Sequence, residues 1–571
     1  MDVSGRIRRI NGPLVEVEGL ANVAMLDLVA LGEGKLPGEV IAIDADVVTV
    51  QAYEPLGGIA TGAPALAQGL PLFAALGPGL LGGIFDGLLR PLADAGDMIL
   101  PRSLDVSGAR SWPFEPRAER GSVLGPGALL GVVQTGVIEH RVLVPPGISG
   151  VLEEIAPAGT IADDGVVATL AGRSIGLVER WPIRRSRPVR SRLGAEAPLA
   201  TGQRVIDMFF PIAKGATAAV PGGFGTGKTM LLQQILKWCD ADVIVFVGCG
   251  ERGNELADAL ADMRALTDPR TGRSLLERTV VIANTSNMPV MGREASIYAG
   301  MTVAEFYRDM GYDAVLLADS TSRWAEALRE FSSRSGELPA EEGYPAGLSS
   351  ALAAFYERAG SVMTLGARRG SVTAIGAVSP PGGDMTEPVT AHTERFVRCL
   401  WSLDRDLAYA RHYPAVTWRR SFARDVDAIG AWHAAAGRPE WAHERARALG
   451  LLGDADRLES IVELVGVPAL PARERMVLLA GRFLREGVLQ QNALSDNDAT
   501  CNAAKQSALL ALVLAVYDRC TALVDGGVPA AVIEELDLAR VARVRDETGP
   551  TDAAGVLAAQ REILAALEKV A

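Results

Sequence analysis

Eight consecutive residues, GGFGTGKT from Gly222 to Thr229, match the pattern G-x-x-x-x-G-K-[ST] without a mismatch. In such a segment Gly222, Gly223, Gly225 and Gly227 let the backbone N–H groups turn towards phosphate oxygens, with Phe224 and Thr226 between them. Lys228 offsets β/γ-phosphate charge, the Thr229 hydroxyl can ligate Mg²⁺, and the helix that follows adds the positive end of its dipole. A chance glycine-rich turn is the competing reading. Downstream, the apolar run VLLAD ends on Asp319, where a carboxylate could hold Mg²⁺ through water; a strand-end cap is the plainer alternative. Position 320 is Ser and not Glu, so no acid directly follows Asp319 to orient a water molecule. The run VIVFVGC, which leads into GERGNE, supplies Glu251, Arg252 and Glu255 instead. Glu251 stands nearest the strand end and is the first candidate for positioning an attacking water, Glu255 the second, while Arg252 could stabilise phosphate charge. An exposed loop ion pair is the structural alternative.

Such residues must be held by a sheet. Between Leu199 and Val378, ADVIVFVGC, RTVVIANTS, DAVLLADS and SVTAIGAV read as buried strands, and helical patterns ending near Met263 and Met310 lie between the first three. That alternation predicts a parallel sheet with helices on both faces. TAAVP before the glycine-rich loop and TMLLQQILKW after it give the strand-loop-helix context the motif needs. Short alternating runs from Val3 to about Gln68, with Gly, Asp and Pro turns, predict a small β-barrel or sandwich. A second Gly- and Pro-rich β module spans Ser107 to Trp181, and after Asp425 the Ala- and Leu-rich periodicity predicts a helical bundle.

The 571 residues allow several domains, and 22% charged with 49% hydrophobic residues describes a folded chain. A net charge of −13 argues against a nucleic-acid binder. The basic stretch Arg180, Arg184, Arg185, Arg187, Arg190 and Arg192 reads as a solvated connector or a subunit-contact face. No apolar run reads as long enough to cross a bilayer, the best being Ala508 to Tyr517, and the N-terminus reads as a strand and not a signal peptide. A cytosolic chain that meets membranes only through partners is expected. Cys239, Cys249, Cys399, Cys501 and Cys520 have no metal-ligand spacing and read as buried structural thiols.

The stretches FFPIAKGATAAVPGGFGTGKT, VGCGERGNE, ANTSNMPV, ADSTSRWAEALREF, PAEEGYPAGLSSALAAFYERAG and SPPGGDMTEPVT resemble the catalytic A subunit, or alpha chain, of V/A-type rotary ATPases. The likeness runs from GRIRRINGPLVEVEG through LGPGLLGGIFDGLLRPL and VIEHRVLVPPGISG to VLQQNAL, nearly the whole chain. It implies an N-terminal β-barrel (1–70), a RecA-like nucleotide-binding domain (71–106 and 182–430) interrupted by a β-rich bulge (107–181), and a C-terminal helical domain (431–571). It implies ATP/ADP with Mg²⁺ as cofactor and hydrolysis or synthesis of ATP coupled to H⁺ or Na⁺ translocation. It also implies a place at the cytoplasmic face of a membrane. The expected partners are a noncatalytic B subunit in an A3B3 ring, central- and peripheral-stalk subunits and a membrane ion-translocating sector, with no nucleic acid. In the family the Glu of G-E-R positions the lytic water and its Arg contacts phosphate, which falls on Glu251 and Arg252; Arg323 falls where an arginine lies near phosphates and Mg²⁺. An arginine finger from the B subunit completes the family's site. Tyr413 of HYPAVTW takes the place of an adenine-facing aromatic. The second aromatic, usual in Q-Q-N-A-F, is replaced by Leu494, and Thr226 stands where eukaryotic members have Cys. A noncatalytic subunit of the same machine should lack the intact loop and the G-E-R acid. An export ATPase or RNA helicase on the same core should lack the 107–181 module.

Overall fold

The computed structural model describes residues 4–92, 101–104 and 110–569; the expected junction near 106/107 and the extreme ends fall outside them. The chain divides into two compact units. One comprises 1–194, 241–378 and 388–396; the other comprises 195–240, 379–387 and 397–571.

In the first unit the opening alternation folds as a closed barrel, in the spatial order Ser4–Asn11, Leu14–Glu18, Val47–Ala52, Leu36–Asp44, Asp27–Leu31 and Pro64–Pro71. Pairing of Ser4 with Leu66 closes it. Inward-facing Val15, Val17, Val29, Leu31, Val40 and Val50 fill its core, as a period of two requires. Between 110 and 178 the chain builds two four-stranded antiparallel sheets around Phe114, Leu130, Val133, Leu152, Val167 and Leu170.

The same unit carries five parallel strands in the order Arg369–Val378, Asp313–Asp319, Val243–Glu251, Thr279–Thr285 and Ile84–Phe85. Three of these are almost continuously apolar and buried, the pattern of a sheet covered on both faces. Helices Gly253–Ala265, Val290–Asp309 and Thr321–Ser335 pack on them. From Val243–Glu251 the chain goes first to the neighbour on one side, Thr279–Thr285, then to the neighbour on the other, Asp313–Asp319. That reversal is a topological switch point, and its carboxyl end is where α/β sheets bind ligands.

The arginine-rich stretch is only in part a solvated connector: Arg180, Arg185, Arg190 and Arg192 are exposed, while Arg184 and Arg187 are engaged within the fold. Arg184 donates to Glu39 of the barrel and to Glu294 of helix Val290–Asp309, both at 2.6 Å. Arg187, 6% exposed, reaches Glu179 at 3.0 Å and Asp309 at 2.7 Å. Charges so placed need partners to offset desolvation, and guanidinium forks supply the bidentate geometry.

The second unit holds the strand Thr217–Pro221, hydrogen-bonded to Cys399–Leu400 and through it to Phe422–Ala423, and the C-terminal helices. Its longest apolar helix also differs from expectation. Ala503–Asp525, 23 residues, is long and apolar enough to cross a membrane by length and composition. Polar residues bracket Ala508 to Tyr517 and make the apolar run look short in the sequence; two of them, Gln506 and Asp518, find partners in place, Gln506 Nε2 donating to Cys501 O and Asp518 pairing with Arg447. Buried Leu509, Leu512, Val513 and Val516 lie on this helix, which packs against Trp441–Val465, Ala472–Phe483 and Ala553–Glu568 as a core element. All five cysteines are buried and unbridged.

Candidate active site

In the first unit, strand register sets the chemistry. Gly248 lies opposite Asp319, and after a bulge Glu251 lies opposite Thr285, so Glu251 and Asp319 stand at the same carboxyl end of adjacent strands. Asp319 is 4% exposed. Glu251 is partly buried, and its proton affinity is strongly raised. Desolvation, then the negative charges of Asp319 and Glu255, push its pKa up to about 7 against the pull of Arg323, and a hydrogen bond with Glu255 adds to the rise. Like charges at one strand end cannot all ionise cheaply, so this carboxyl is poised near neutrality, as a proton-handling group must be.

Arg252 stands at the N-cap position of helix Gly253–Ala265 without a side-chain capping bond and is largely solvent-exposed, with Glu255 Oε1 at 4.0 Å from Nη1. Arg323, in the first turn of Thr321–Ser335, passes within contact range of Gly250: a Cβ built there would meet Arg323 Cβ at 2.8 Å. Gly250 has φ of +71°, so both its conformation and this approach favour glycine. Arg323 Nη1 donates to both carboxylate oxygens of Glu326 at 2.9 Å. Sequence reasoning missed Glu326, although its (i, i+3) spacing from Arg323 on a helix is a readable signal. It also missed Arg293, whose side chain flanks Gly250 and donates to Ser286 O at 2.9 Å.

In the second unit, strand Thr217–Pro221 delivers the glycine-rich loop to helix Lys228–Trp238. Gly225 and Gly227 have φ of +77° and +88°, the left-handed conformation that turns successive N–H groups to one side. Buried Thr226 closes the loop by donating from Oγ1 to Gly223 O at 2.8 Å. Lys228 Nζ donates to Gly222 O at 2.6 Å and Gly223 O at 2.9 Å, and Phe224 projects outward, 90% exposed. Thr229 follows in the first turn of the helix. Arg405, which sequence reasoning did not single out, backs the loop: a Cβ on Gly223 would meet its Nε at 2.8 Å, and its Nη2 donates to Gly382 O at 3.0 Å.

Tyr413 lies beside this loop, its ring edge 3.5 Å from where a Cβ on Gly227 would sit, and it is 42% exposed. Gln491 N donates to Tyr413 O at 2.8 Å, which ties the QQNAL segment to the tyrosine. Leu494, three residues on, is 93% exposed, its N–H bonded to Asn492 Oδ1 at 3.0 Å.

Comparison with known proteins covers nearly the whole chain. Residues 202–423 match the ATP synthase alpha/beta family nucleotide-binding domain, and 7–69 match the family's beta-barrel domain. Residues 103–184 match the family's barrel-sandwich domain, and 430–532 match the C-terminal domain of V and A type ATP synthase. A V-type ATP synthase alpha chain from Nitrosococcus oceani is 50% identical over 95% of this chain and 93% of its own length. The A subunit of an A-type ATP synthase from Thermococcus onnurineus is 48% identical over 93% of each chain. Among solved structures, the type III secretion ATPase EscN from enteropathogenic E. coli superposes with a TM-score of 0.66 at 22% identity, covering 89% of this chain and 99% of EscN, which speaks to the fold alone. With relatives this similar along nearly its full length, the chain belongs to the family of V-type ATP synthase alpha chains and A-type ATP synthase A subunits.

Proposed function

We propose that this chain is the catalytic subunit of a V/A-type rotary ATPase, making or hydrolysing ATP with Glu251 as the group that positions and deprotonates water. The observation that carries the reading is the strand register, which sets Glu251 and buried Asp319 side by side at the carboxyl end of adjacent strands at a topological switch point. In this reading Gly222, Gly223, Phe224, Gly225, Thr226, Gly227, Lys228 and Thr229 bind the phosphates of ATP or ADP. Arg252 and Arg323 stabilise charge on the transferred phosphoryl group, and Tyr413 and Leu494 contact the base. For Mg²⁺, which supplies charge neutralisation on the phosphates, the Thr229 hydroxyl and the Asp319 carboxylate are hard oxygen donors of the kind this ion takes. Among the described residues no group of three or more His, Cys, Asp or Glu could form a protein-only metal cage, which suits an ion carried mainly by phosphate and water.

The domain partition proposed is a barrel at 1–70, a nucleotide-binding domain at 71–106 and 182–430, a bulge at 107–181 and a helical domain at 431–571; the family matches at 7–69, 103–184, 202–423 and 430–532 support it. The partners are a noncatalytic B subunit that alternates with this chain in an A3B3 ring, stalk subunits and a membrane sector that moves H⁺ or Na⁺. The ring lies on the cytoplasmic face of that membrane.

The test is steady-state phosphate release from purified chain with and without the B partner. An arginine finger supplied in trans is worth about 10³ to 10⁵-fold in turnover, so the lone monomer should show only residual hydrolysis. Assembly should restore the rate, and replacing the partner's finger arginine by Ala should remove it. A monomer that turns over as fast as the ring would refute the shared mechanism.

A further inference from the structure

A fully buried arginine stands directly behind the segment that carries Leu494. Arg204 directs three of its five guanidinium N–H groups, and its backbone N–H, to residues more than 280 positions away in sequence. Its Nε donates to Val488 O at 2.8 Å, its Nη2 to Gln490 O at 2.6 Å, and its Nη1 to Asp498, itself fully buried. Its backbone N–H donates to Gln491 Oε1 at 2.8 Å, and Gln491 Nε2 returns a bond to Gly202 O at 2.8 Å. Three donors on one planar fork thus reach two main-chain carbonyls and one carboxylate on the same loop, a geometry that lysine cannot reproduce.

The loop is pinned at its other contacts as well. Asp498 Oδ2 accepts from Asn492 N at 2.7 Å, which folds 492–498 into a closed turn with Leu494 at its exposed tip. Lys505 Nζ, also fully buried, holds Asn497 O at 2.9 Å together with Arg545 O and Thr548 O at 2.8 Å each. Gln491 N and Gln490 Nε2 donate to Tyr413 O and Arg411 O. The result is a surface loop whose rim is free to meet a ligand while its base is fixed on Arg204 and on Tyr413. So heavy a buried polar investment beneath an exposed apolar tip suits a recognition element that must not move.

We propose that Arg204 is a positioning residue for the nucleotide base: it fixes the 488–498 loop against Tyr413, so that base-side affinity depends on it and phosphate-side affinity does not. The inference rests on the assignment of Tyr413 and Leu494 to the base. Arg204 touches neither phosphate nor reacting atoms in this role, and its loss raises KM for ATP while leaving kcat nearly intact.

The test uses the full chain for binding and the ring assembled with the B partner for turnover. Two variants are compared with the unmodified protein. Arg204→Lys keeps the charge but loses the fork. Arg204→Met combined with Asp498→Asn removes both members of the buried pair at once, leaves Arg545 its other carboxylate, Asp546 at 3.4 Å, and retains an acceptor for Asn492 N–H, so it should fold even if the single change does not. ADP affinity should fall about tenfold in either variant, the order of one lost charge-assisted hydrogen bond, and pyrophosphate affinity should stay within about twofold. KM for ATP should rise by a similar factor with kcat within about threefold. In the Arg204→Lys background, Leu494→Phe should lose its own effect on ADP binding. Equal losses for ADP and pyrophosphate would mean a general collapse around the phosphate loop and would overturn the positioning role. So would unchanged ADP affinity in a folded variant. Failure of the unmodified chain to bind ADP at all would overturn the ATP-site reading itself.

Discussion

Replacing Glu251 by Gln gives opposite signs for activity and stability, and both are calculable from its environment. In the unfolded chain Glu251 titrates near 4.5; in the folded chain burial and the charges of Asp319 and Glu255 raise this to about 7. Between those values the folded state holds a proton that the unfolded state has released, so this residue's contribution to stability falls as pH rises from 4.5 to 7 and is flat outside that window. A shift of this size corresponds to roughly 3 kcal/mol, and allowing for solvent screening of a side chain that is only partly buried leaves about 1 to 2 kcal/mol. Glutamine mimics the protonated form. Glu251→Gln should therefore be more stable than the unmodified chain by that amount at about pH 8 and no more stable at about pH 4.5, measured by denaturant melts of the full chain at both pH values. Activity runs the other way. In the assembled ring kcat/KM should fall about tenfold per unit below about pH 7, as the ionised fraction does, and Glu251→Gln should still bind ATP yet lose about 10² to 10⁴-fold in turnover at every pH. Near-normal turnover in the variant would move the role to Glu255. An equal stability difference at the acidic and the alkaline pH would mean that Glu251 is not the group titrating near 7.

Lys228→Ala removes the ammonium held against Gly222 O and Gly223 O, and both nucleotide binding and turnover should drop; ADP bound at unchanged affinity in equilibrium titration would count against the loop as the phosphate site. Leu494→Phe adds an aromatic face at an exposed loop tip and should tighten ADP binding by about 1 kcal/mol, read as the dissociation constant; no change would place Leu494 outside the base contacts.

What was legible in the sequence was whatever is local. The run from Thr217 through Thr229 carries its own strand, turn glycines and helix start, and the apolar runs ending at Glu251 and Asp319 declare buried strands and their carboxyl ends. Barrel alternation in the opening residues is equally self-contained. What escaped is pairwise and distant. Of the six arginines between 180 and 192, Arg184 and Arg187 look as solvated as the other four because the sequence shows their charge but not Glu39, Glu294 and Asp309, which folding brings to them. Arg204 gave no signal, since its partners lie at 488–498. The upward shift of Glu251 is likewise a property of neighbouring strand ends and not of the GER motif.

The state of the arginines in the carboxylate cluster explains why this chain should need a neighbour for speed. Arg323 has both oxygens of Glu326 as partners, and Arg252 is an exposed side chain with Glu255 nearby. Transition-state stabilisation requires a cation already aimed at the developing charge, desolvated and costing no reorganisation at the moment of reaction. A guanidinium shared with a carboxylate must first give up that partner, and an exposed one must give up water; each is a cost that subtracts from the stabilisation it then provides. In the proposed shared site, a finger from a neighbouring chain would come with an interface that excludes water, so that its charge acts at full strength only on assembly. Glu326→Gln separates these contributions: by releasing Arg323 from its partner it should raise the residual phosphate release of the lone chain, while the ring of the proposed shared-site mechanism, in which the rate depends on the neighbour's arginine, should change little.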